Sequence, residues 1–193
     1  HKVFKLKRTP QPASSTDIYW SPDSGEIESK KLEGMDVIIN LSGENIAARR
    51  WSMTHKTEVI NSRIKTTELL VNTISKLTLP PKLFLSASAI GIYGDRGNET
   101  CVESTSPGTG FLAEVSNRWE ESARQSEKFG VRSVVGRIGI VLSPLGGALA
   151  KMLPPFKLGV AGPLGDGSQI MSWISLHDLI GAIYHVIHHP EIS

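Results

Sequence analysis

The sequence contains a single cysteine, Cys101, among its 193 residues. One thiol cannot form an internal disulfide, and it cannot hold a metal ion without ligands from other residue types. A chain that folds without disulfides fits a reducing compartment, so we expect a cytoplasmic protein. No histidine lies near Cys101 in the sequence to activate it. We therefore interpret Cys101 as an unreactive thiol rather than a nucleophile.

Charge of one sign and long apolar runs are also scarce. The formal net charge is only +2 and the basic residues are scattered, so the sequence offers no concentrated surface for nucleic acid or for a membrane. No apolar run approaches the roughly 20 residues of a membrane span. With 39% hydrophobic and 21% charged residues, the composition is typical of one soluble globular domain. We expect neither nucleic acid nor a membrane as a partner, and the oligomeric state stays open.

Apolar runs alternate with segments of helical periodicity along the chain. Strands are predicted at residues 2–6, 17–20, 37–39, 83–85, 133–140 and 170–174. Helices are predicted at residues 28–33, 51–77, 111–129 and 176–188, with a glycine-rich loop at 159–167. Strands that alternate with helices of this kind indicate βαβ units. The sequence therefore predicts an α/β fold built on a parallel sheet.

Small and hydroxylated residues follow the predicted strand at 83–85. In an open parallel sheet, ligands bind beyond the carboxyl ends of the strands. Ser86, Ala87 and Ser88 would let a flat cofactor ring come close to the backbone there. A serine-rich turn without a ligand would have the same sequence, so both interpretations stay open.

Two other strand ends offer candidate contacts. Leu41, Ser42 and Gly43 follow a compact buried strand, and a glycine there lets the backbone approach nucleotide oxygens. A plain strand-end turn would look the same. Lys7 and Arg8 follow the first strand, where the planar fork of an arginine suits the 2′-phosphate of NADP. A solvated basic edge is the alternative interpretation of these two cations.

The histidines do not form a convincing metal site. His177 and Asp178 are adjacent, and neighbours in a helix do not face one direction, which makes chelation by this pair unfavourable. Asp178 is better explained as a residue of a helix N-terminus, where the helix dipole favours its charge. His185, His188 and His189 lie at a helix end, where histidine is common for ordinary reasons. We expect no metal.

Segments along most of the chain resemble the extended short-chain dehydrogenase/reductase superfamily. More closely, they resemble its atypical epimerase-like branch, whose members carry labels such as sugar-nucleotide epimerase or cell-division-inhibitor-like protein. The matching segments are VIINLSGENI at 37–46, RRW at 49–51, SASAIGIYG at 86–94, RWE at 118–120, GIVL at 139–142, MLPPFKLG at 152–159 and WISLHDL at 173–179. The resemblance implies a Rossmann-type, doubly wound parallel sheet that binds NAD(P), with a smaller C-terminal lobe over the nicotinamide.

The resemblance also implies where parts of the family fold lie. It places the first strand and the glycine-rich phosphate turn, G-x-x-G-x-x-G, ahead of His1, so we expect neither within the chain. It places the main part of the C-terminal substrate lobe beyond Ser193, with residues 143–172 as an excursion toward that lobe. On this interpretation, residues 1–193 are one partial NAD(P)-binding Rossmann domain, truncated at both ends.

The catalytic residues that the resemblance implies are only partly present in this sequence. Typical family members pair a Ser or Thr with a Tyr and a Lys four residues apart, and the Lys cation lowers the tyrosine pKa from its ordinary value of about 10. Four residues after the three tyrosines of this chain come Asp23, Gly97 and His188, so that dyad is missing. Ser88 matches the family's catalytic hydroxyl, and Tyr93 is a candidate substitute acid.

The remaining site residues follow from the resemblance alone. NADP is the implied cofactor. The implied cofactor contacts are Arg8, Leu41, Ser42, Gly43, Ser86, Ala87, Arg137, Gly139 and Val141, with Arg137 in an electrostatic role. Residues that would face the substrate cleft are Gly165, Gly167, Trp173 and His177.

Two functions remain in competition. The first is an NADP-dependent oxidoreductase or epimerase that acts on a small carbonyl compound or a nucleotide sugar with a non-standard proton donor. Arg8 and Ser88 support it. The second is a non-catalytic dinucleotide-binding protein that acts through interaction or regulation, linked to cell division as the family labels suggest. The missing Tyr-Lys dyad supports this alternative.

Overall fold

A computed structural model describes residues 1–10, 13–163 and 165–193. The strands are β1 Lys5–Lys7, β2 Asp17–Ser21, β3 Glu26–Ile27, β4 Val37–Asn40, β5 Leu83–Ala89, β6 Arg132–Ile138, β7 Ile140–Leu142 and β8 Trp173–Ser175. The helices are α1 Met53–Ile74, α2 Phe111–Arg124, α3 Gly147–Lys157 and α4 Leu176–His188. Short 3₁₀ turns lie at Ser29–Leu32, Ile90–Tyr93 and Gln125–Phe129. The predicted α/β class is confirmed.

Parallel pairing dominates the sheets. The strand orders are β1-β2-β3, β4-β5-β6 and β7-β8, and β3 runs antiparallel to β2. The pairs β1–β2, β4–β5 and β7–β8 are all parallel. The register of β4 and β5 sets Asn40 opposite Ser86. The carboxyl end of β4 therefore lies beside the middle of β5, which continues to Ala89.

The chain divides into two compact units. Unit 1 comprises His1–Ala87, Arg118–Val135 and Ser193, and unit 2 comprises Ser88–Asn117 and Gly136–Ile192. The single partial domain over residues 1–193, with its excursion at 143–172, stays a prediction.

The core of unit 1 forms around β5 and α1. The apolar start of β5 is buried on both faces, as expected for a strand with a covered parallel sheet around it. The Ser52 hydroxyl accepts the His55 N–H at 3.2 Å and so caps the N-terminus of α1. The core side chains are Trp20, Ile38, Leu70, Val71, Ile74, Phe84, Ala123 and Val131. The apolar periodicity of α1 thus faces the sheet.

Gly139 interrupts the strand predicted at 133–140. The structure has β6 and β7 there instead, and at this point the chain passes close to another backbone segment. A Cβ on residue 139 would lie 2.9 Å from the carbonyl oxygen of Ser172, so only glycine fits. Other predicted boundaries were also wrong. The first strand begins at Lys5 rather than residue 2, and the last begins at Trp173 rather than 170. The strand predicted at 83–85 continues to Ala89, so residues 86–88 lie within it, and the helix predicted at 111–129 ends at Arg124.

Helix α3 was not predicted from the sequence. It contains Pro154 and Pro155, and a proline cannot donate the helical N–H bond. Both prolines lie near the end of the helix, which stops at Lys157. The carbonyl of Pro154 still accepts the Leu158 N–H at 3.1 Å, so the final turn closes normally.

The expectation that the G-x-x-G-x-x-G spacing is absent was wrong. It occurs at Gly159, Gly162 and Gly165. A phosphate turn needs these glycines between a strand and the N-terminus of a helix. Here they follow α3 and precede β8, so this segment does not have the order of a phosphate turn.

Glu28 ties β2 to the turn that follows β3. Its Oε2 accepts the Tyr19 N–H at 2.7 Å and a hydrogen bond from Lys31 Nζ at 2.9 Å. These contacts lower the pKa of the Glu28 carboxyl, the Tyr19 N–H contributing most and Lys31 next. A depressed carboxyl pKa stabilises the fold above the unfolded-state value of about 4.3 and loses that contribution as the pH falls through the folded-state value.

We therefore expect Glu28→Gln to be less stable than wild type at neutral pH. The difference should shrink as the pH falls below the unfolded-state value of about 4.3, and it should vanish once the pH lies below the lowered pKa of Glu28 in the folded protein. Urea midpoints between about pH 7 and pH 2 check this. Glu26→Gln is the matched control, because Glu26 is exposed and makes no ion pair within the described residues. A Glu28→Gln difference that stays constant with pH would contradict the assignment.

Candidate functional site

Asn40, the last residue of β4, organises the strand ends of unit 1. Its side chain is buried, with 1% of the residue exposed. The amide Nδ2 donates to Thr67 Oγ1 at 2.8 Å and to Ser86 Oγ at 3.3 Å, while Oδ1 accepts the Ser42 N–H at 3.1 Å. Asn40 therefore fixes the start of the loop 41–43 against β5 and α1.

Thr67 of α1 is the second member of this network. Its Oγ1 accepts from Asn40 and from Trp119 Nε1, the latter at 2.9 Å, and donates to the carbonyl of Arg63 at 2.7 Å. One hydroxyl thus connects β4, α1 and α2. The helical pattern marks Trp119 as a core residue, which it is, but gives no sign of its hydrogen bond across 52 positions of sequence.

The cofactor contacts predicted at residues 41–43 and 86–87 lie close together, in the loop after β4 and within β5. Leu41 is 60% exposed, Gly43 is exposed and Ser42 is half-buried, so the loop has accessible surface. Ser86 and Ala87 are buried. The Ser86 hydroxyl donates to the Ala87 carbonyl at 3.2 Å and accepts from the Asn40 side chain, so both of its roles are used within the protein. Ser86 supports the surface rather than presenting a hydroxyl.

Two cations of unit 1 differ in their surroundings. Arg8 is exposed directly after β1, and within the described ranges its side chain makes no hydrogen bond or ion pair. Arg63, which the sequence did not single out, lies against Gly43. A Cβ on Gly43 would lie 3.1 Å from the Arg63 guanidinium carbon. Burial lowers the Arg63 pKa, and Glu44 acts in the opposite direction.

In unit 2, Arg137 and Tyr93 form a close pair. Arg137 Nη1 donates to the Tyr93 hydroxyl at 3.0 Å and to the Glu103 carbonyl at 2.7 Å, and the guanidinium carbon lies 5.2 Å from the tyrosine ring centre. The Tyr93 hydroxyl donates its own proton to the Val102 carbonyl at 3.1 Å. Tyr93 therefore has a cation beside it without a Tyr-x-x-x-Lys motif, and its proton is held by a backbone carbonyl.

The other predicted residues of unit 2 have simpler surroundings. Ser88 is 4% exposed, near the end of β5. Gly139 separates β6 from β7, and Val141 is half-buried in β7, opposite Ile174. The roles assigned to these residues stay predictions.

A cleft of about 890 Å³ lies beside α3 in unit 2. Its wall is largely apolar and includes Met152, Phe156, Ile170 and Met171. Of the residues expected in a substrate cleft, Gly167 lines it. Gly165, Trp173 and His177 are not among its lining residues.

The histidines and the cysteine have ordinary partners. The Ser175 hydroxyl accepts the Asp178 N–H at 3.0 Å, so Asp178 lies in the first turn of α4 as predicted. His189 contacts the Glu191 carboxylate at 2.8 Å, and Cys101 contacts the Glu99 carbonyl at 3.9 Å. Across the described ranges, no three His, Cys, Asp or Glu side chains are grouped as metal ligands. No helix in those ranges is both long and apolar enough to cross a membrane.

A model of the NAD dependent epimerase/dehydratase family matches residues 22–193. The chain belongs to this family. The epimerase family protein Mb2239 of Mycobacterium bovis is 40% identical over 193 residues, which is 100% of this chain and 63% of that protein. The chain thus spans less than two thirds of the length of this relative.

Two solved structures are also similar to this chain. The human epimerase family protein SDR39U1 (isoform 2) with NADPH has a TM-score of 0.86 and 34% identity, covering 100% of this chain and 63% of that one. A nucleoside-diphosphate sugar epimerase from Corynebacterium glutamicum has a TM-score of 0.83 and 34% identity, covering 100% and 40%. The Rossmann-type fold expected from the sequence is confirmed by this likeness.

Proposed function

We propose that this epimerase-family chain binds NADP(H) and takes part in reduction or epimerisation of a small carbonyl compound or a nucleotide sugar. The observation that carries the proposal is the loop 41–43, which is accessible beside β5 and is held there by Asn40. The likeness to the human structure with NADPH supports the choice of dinucleotide.

Within unit 1, the proposed contacts serve the nucleotide part of the cofactor. Arg8 would bind the 2′-phosphate, since its guanidinium is exposed and has no partner within the described residues. Residues 41–43 would contact the cofactor through backbone groups, and the buried Ser86 and Ala87 would support this loop from β5.

Within unit 2, the proposed contacts serve the nicotinamide and the substrate. Arg137, Gly139 and Val141 would lie at the nicotinamide, which supplies or accepts a hydride when the cofactor is bound. Ser88 would hold the substrate oxygen. Tyr93 would give or take the proton, and Arg137 at 3.0 Å would stabilise the tyrosinate that forms.

Arg8→Ala tests the 2′-phosphate assignment. We expect NADPH affinity to fall about tenfold, with NADH affinity unchanged, because only NADPH carries the 2′-phosphate. Titration calorimetry with both cofactors measures the ratio. Arg118→Ala, which removes another exposed arginine of unit 1, is the control. Equal affinity of the wild type for NADPH and NADH, or no change in Arg8→Ala, would overturn the assignment.

A non-catalytic dinucleotide-binding protein is the second candidate. It is favoured by one observation, namely that the Tyr93 proton is already donated to the Val102 carbonyl. Cofactor oxidation over a panel of carbonyl compounds and nucleotide sugars separates the two functions. Tight NADPH binding without turnover on any of these substrates would favour the second candidate.

A further inference from the structure

The Arg63 guanidinium is only partly used by the protein. Nη1 donates to the carbonyls of Glu44 and Val59 at 3.1 and 3.2 Å. An arginine carries five N–H donors in a fixed fork. Nε and Nη2 make no hydrogen bond with the described part of the chain. One edge of the fork is therefore unused.

The charge of Arg63 is also poorly compensated. The guanidinium is half-buried, and this burial lowers its pKa because partial removal from water disfavours the cation. Glu44 offsets part of this, but its carboxylate lies 3.9 Å from Arg49, which in turn contacts Glu58 at 3.0 Å. Arg63 itself has no carboxylate in ion-pair contact within the described residues. A bound anion would compensate the cation directly.

Gly43 and Trp119 hold this guanidinium in place. A Cβ on Gly43 would lie 3.1 Å from Cζ, 3.2 Å from Nη2 and 3.4 Å from Nε, so the absence of a side chain leaves room for the fork. The guanidinium carbon lies 5.2 Å from the Trp119 ring centre, within the range of a cation–π contact. The Gly43 N–H has no hydrogen-bond partner in the described ranges, so a second donor is available next to the fork.

We propose that Nε and Nη2 of Arg63, together with the Gly43 N–H, bind a diphosphate oxyanion at the end of β4. This inference rests on the proposed function in one respect, since it places a phosphate-bearing ligand at the loop 41–43. An arginine fork matches two phosphate oxygens in a bidentate contact. The diphosphate of a dinucleotide and that of a nucleotide sugar share this chemistry.

The test compares Arg63→Ala, Arg63→Lys and the control Arg118→Ala. Each variant is titrated with NADPH, NADH, UDP-glucose and inorganic pyrophosphate by calorimetry, with tryptophan fluorescence as a second readout because Trp119 adjoins Arg63. If the diphosphate belongs to the dinucleotide, Arg63→Ala should weaken NADPH and NADH equally, by about tenfold to a hundredfold. If it belongs to a nucleotide sugar, only UDP-glucose and pyrophosphate should weaken. Arg63→Lys should retain part of the affinity that Arg63→Ala loses.

Gly43→Ala keeps the arginine and guards against a simple folding defect in Arg63→Ala. Its Cβ would press on the fork, and we expect a similar but smaller loss of diphosphate affinity. Unchanged affinity of Arg63→Ala for all four ligands would overturn the inference and leave the proposed function standing. A different result would overturn the proposed cofactor and support the diphosphate site. In that case the wild type binds neither dinucleotide, but it binds pyrophosphate or UDP-glucose, and Arg63→Ala loses that binding.

Discussion

Gly108→Ala should lower the free energy of unfolding by about 3 kcal/mol and also disturb Tyr93. A Cβ on residue 108 would overlap the carbonyl group of Tyr93 and lie 2.9 Å from the Gly94 nitrogen. Both neighbours are backbone, so no side-chain rotation relieves the overlap. The Gly108 N–H donates to the Ile92 carbonyl at 2.8 Å, which holds the two segments at this short distance.

Displacing the Tyr93 backbone would also move its side chain, the candidate proton donor. The Tyr93 carbonyl accepts from Arg96 Nε at 3.0 Å, and Arg96 Nη2 donates to the Ser106 carbonyl at 2.7 Å. Moving Tyr93 away from Gly108 would therefore strain both hydrogen bonds of Arg96, to Tyr93 and to Ser106. Its hydroxyl would shift from Val102 and Arg137, so any turnover that depends on Tyr93 should fall together with stability.

Urea denaturation and NADPH oxidation measure the two effects of Gly108→Ala. Gly146→Ala is the matched control, because a Cβ there meets no atom within 4 Å and its φ of 179° is ordinary extended backbone. We expect Gly146→Ala to change the free energy of unfolding by less than about 0.5 kcal/mol. A Gly108→Ala protein as stable as this control would show that the loop yields easily and does not position Tyr93.

Local signals account for what could be predicted of the fold. The apolar run at 83–85 marks β5, and the periodicity that ends before Pro80 marks α1, because both patterns are set by neighbours in sequence. The break at Gly139 could not be predicted in this way. The glycine there accommodates the carbonyl of Ser172, which is distant in sequence.

The candidate site also has parts that local sequence signals predict and parts that depend on residues distant in sequence. The rule that ligands lie beyond strand ends singled out residues 41–43 and Ser86, and the structure sets Asn40, which precedes that loop, opposite Ser86. Neither Thr67 nor Arg63 could be identified from the sequence, because both lie in α1. A helical pattern indicates which face of a helix is buried and not which hydrogen bonds its side chains make. The one available signal is a polar pair, Thr66 and Thr67, on the buried face of a helix where apolar residues are expected.

Thr67→Val should cost about 2 to 4 kcal/mol, since it leaves buried donors without an acceptor. Thr67 is 0% exposed, and its hydroxyl accepts from Asn40 and Trp119. Valine has the same shape but accepts nothing. Asn40 keeps its 3.3 Å contact with Ser86, whereas Trp119 Nε1 makes no other hydrogen bond within the described residues, so most of the cost falls on the tryptophan.

Thr66→Val provides a control at the adjacent position. Thr66 is 1% exposed, but its hydroxyl only donates, to the carbonyls of Ser62 and Arg63 at 2.7 and 2.9 Å. Its removal leaves no buried N–H unsatisfied, so we expect a change below about 1 kcal/mol. Urea denaturation of both variants measures the difference. Equal losses would mean that Thr67 stabilises the helix and not the network.

The network also predicts a functional consequence of Thr67→Val. Asn40 holds the loop 41–43 through the Ser42 N–H, and Trp119 adjoins the Arg63 guanidinium. Loosening both at once should weaken NADPH and pyrophosphate binding even where the protein remains folded, while Thr66→Val should bind as wild type does. Because the two threonines are neighbours with the same burial, a difference in binding between these variants would be assigned to the hydrogen bonds that Thr67 alone accepts.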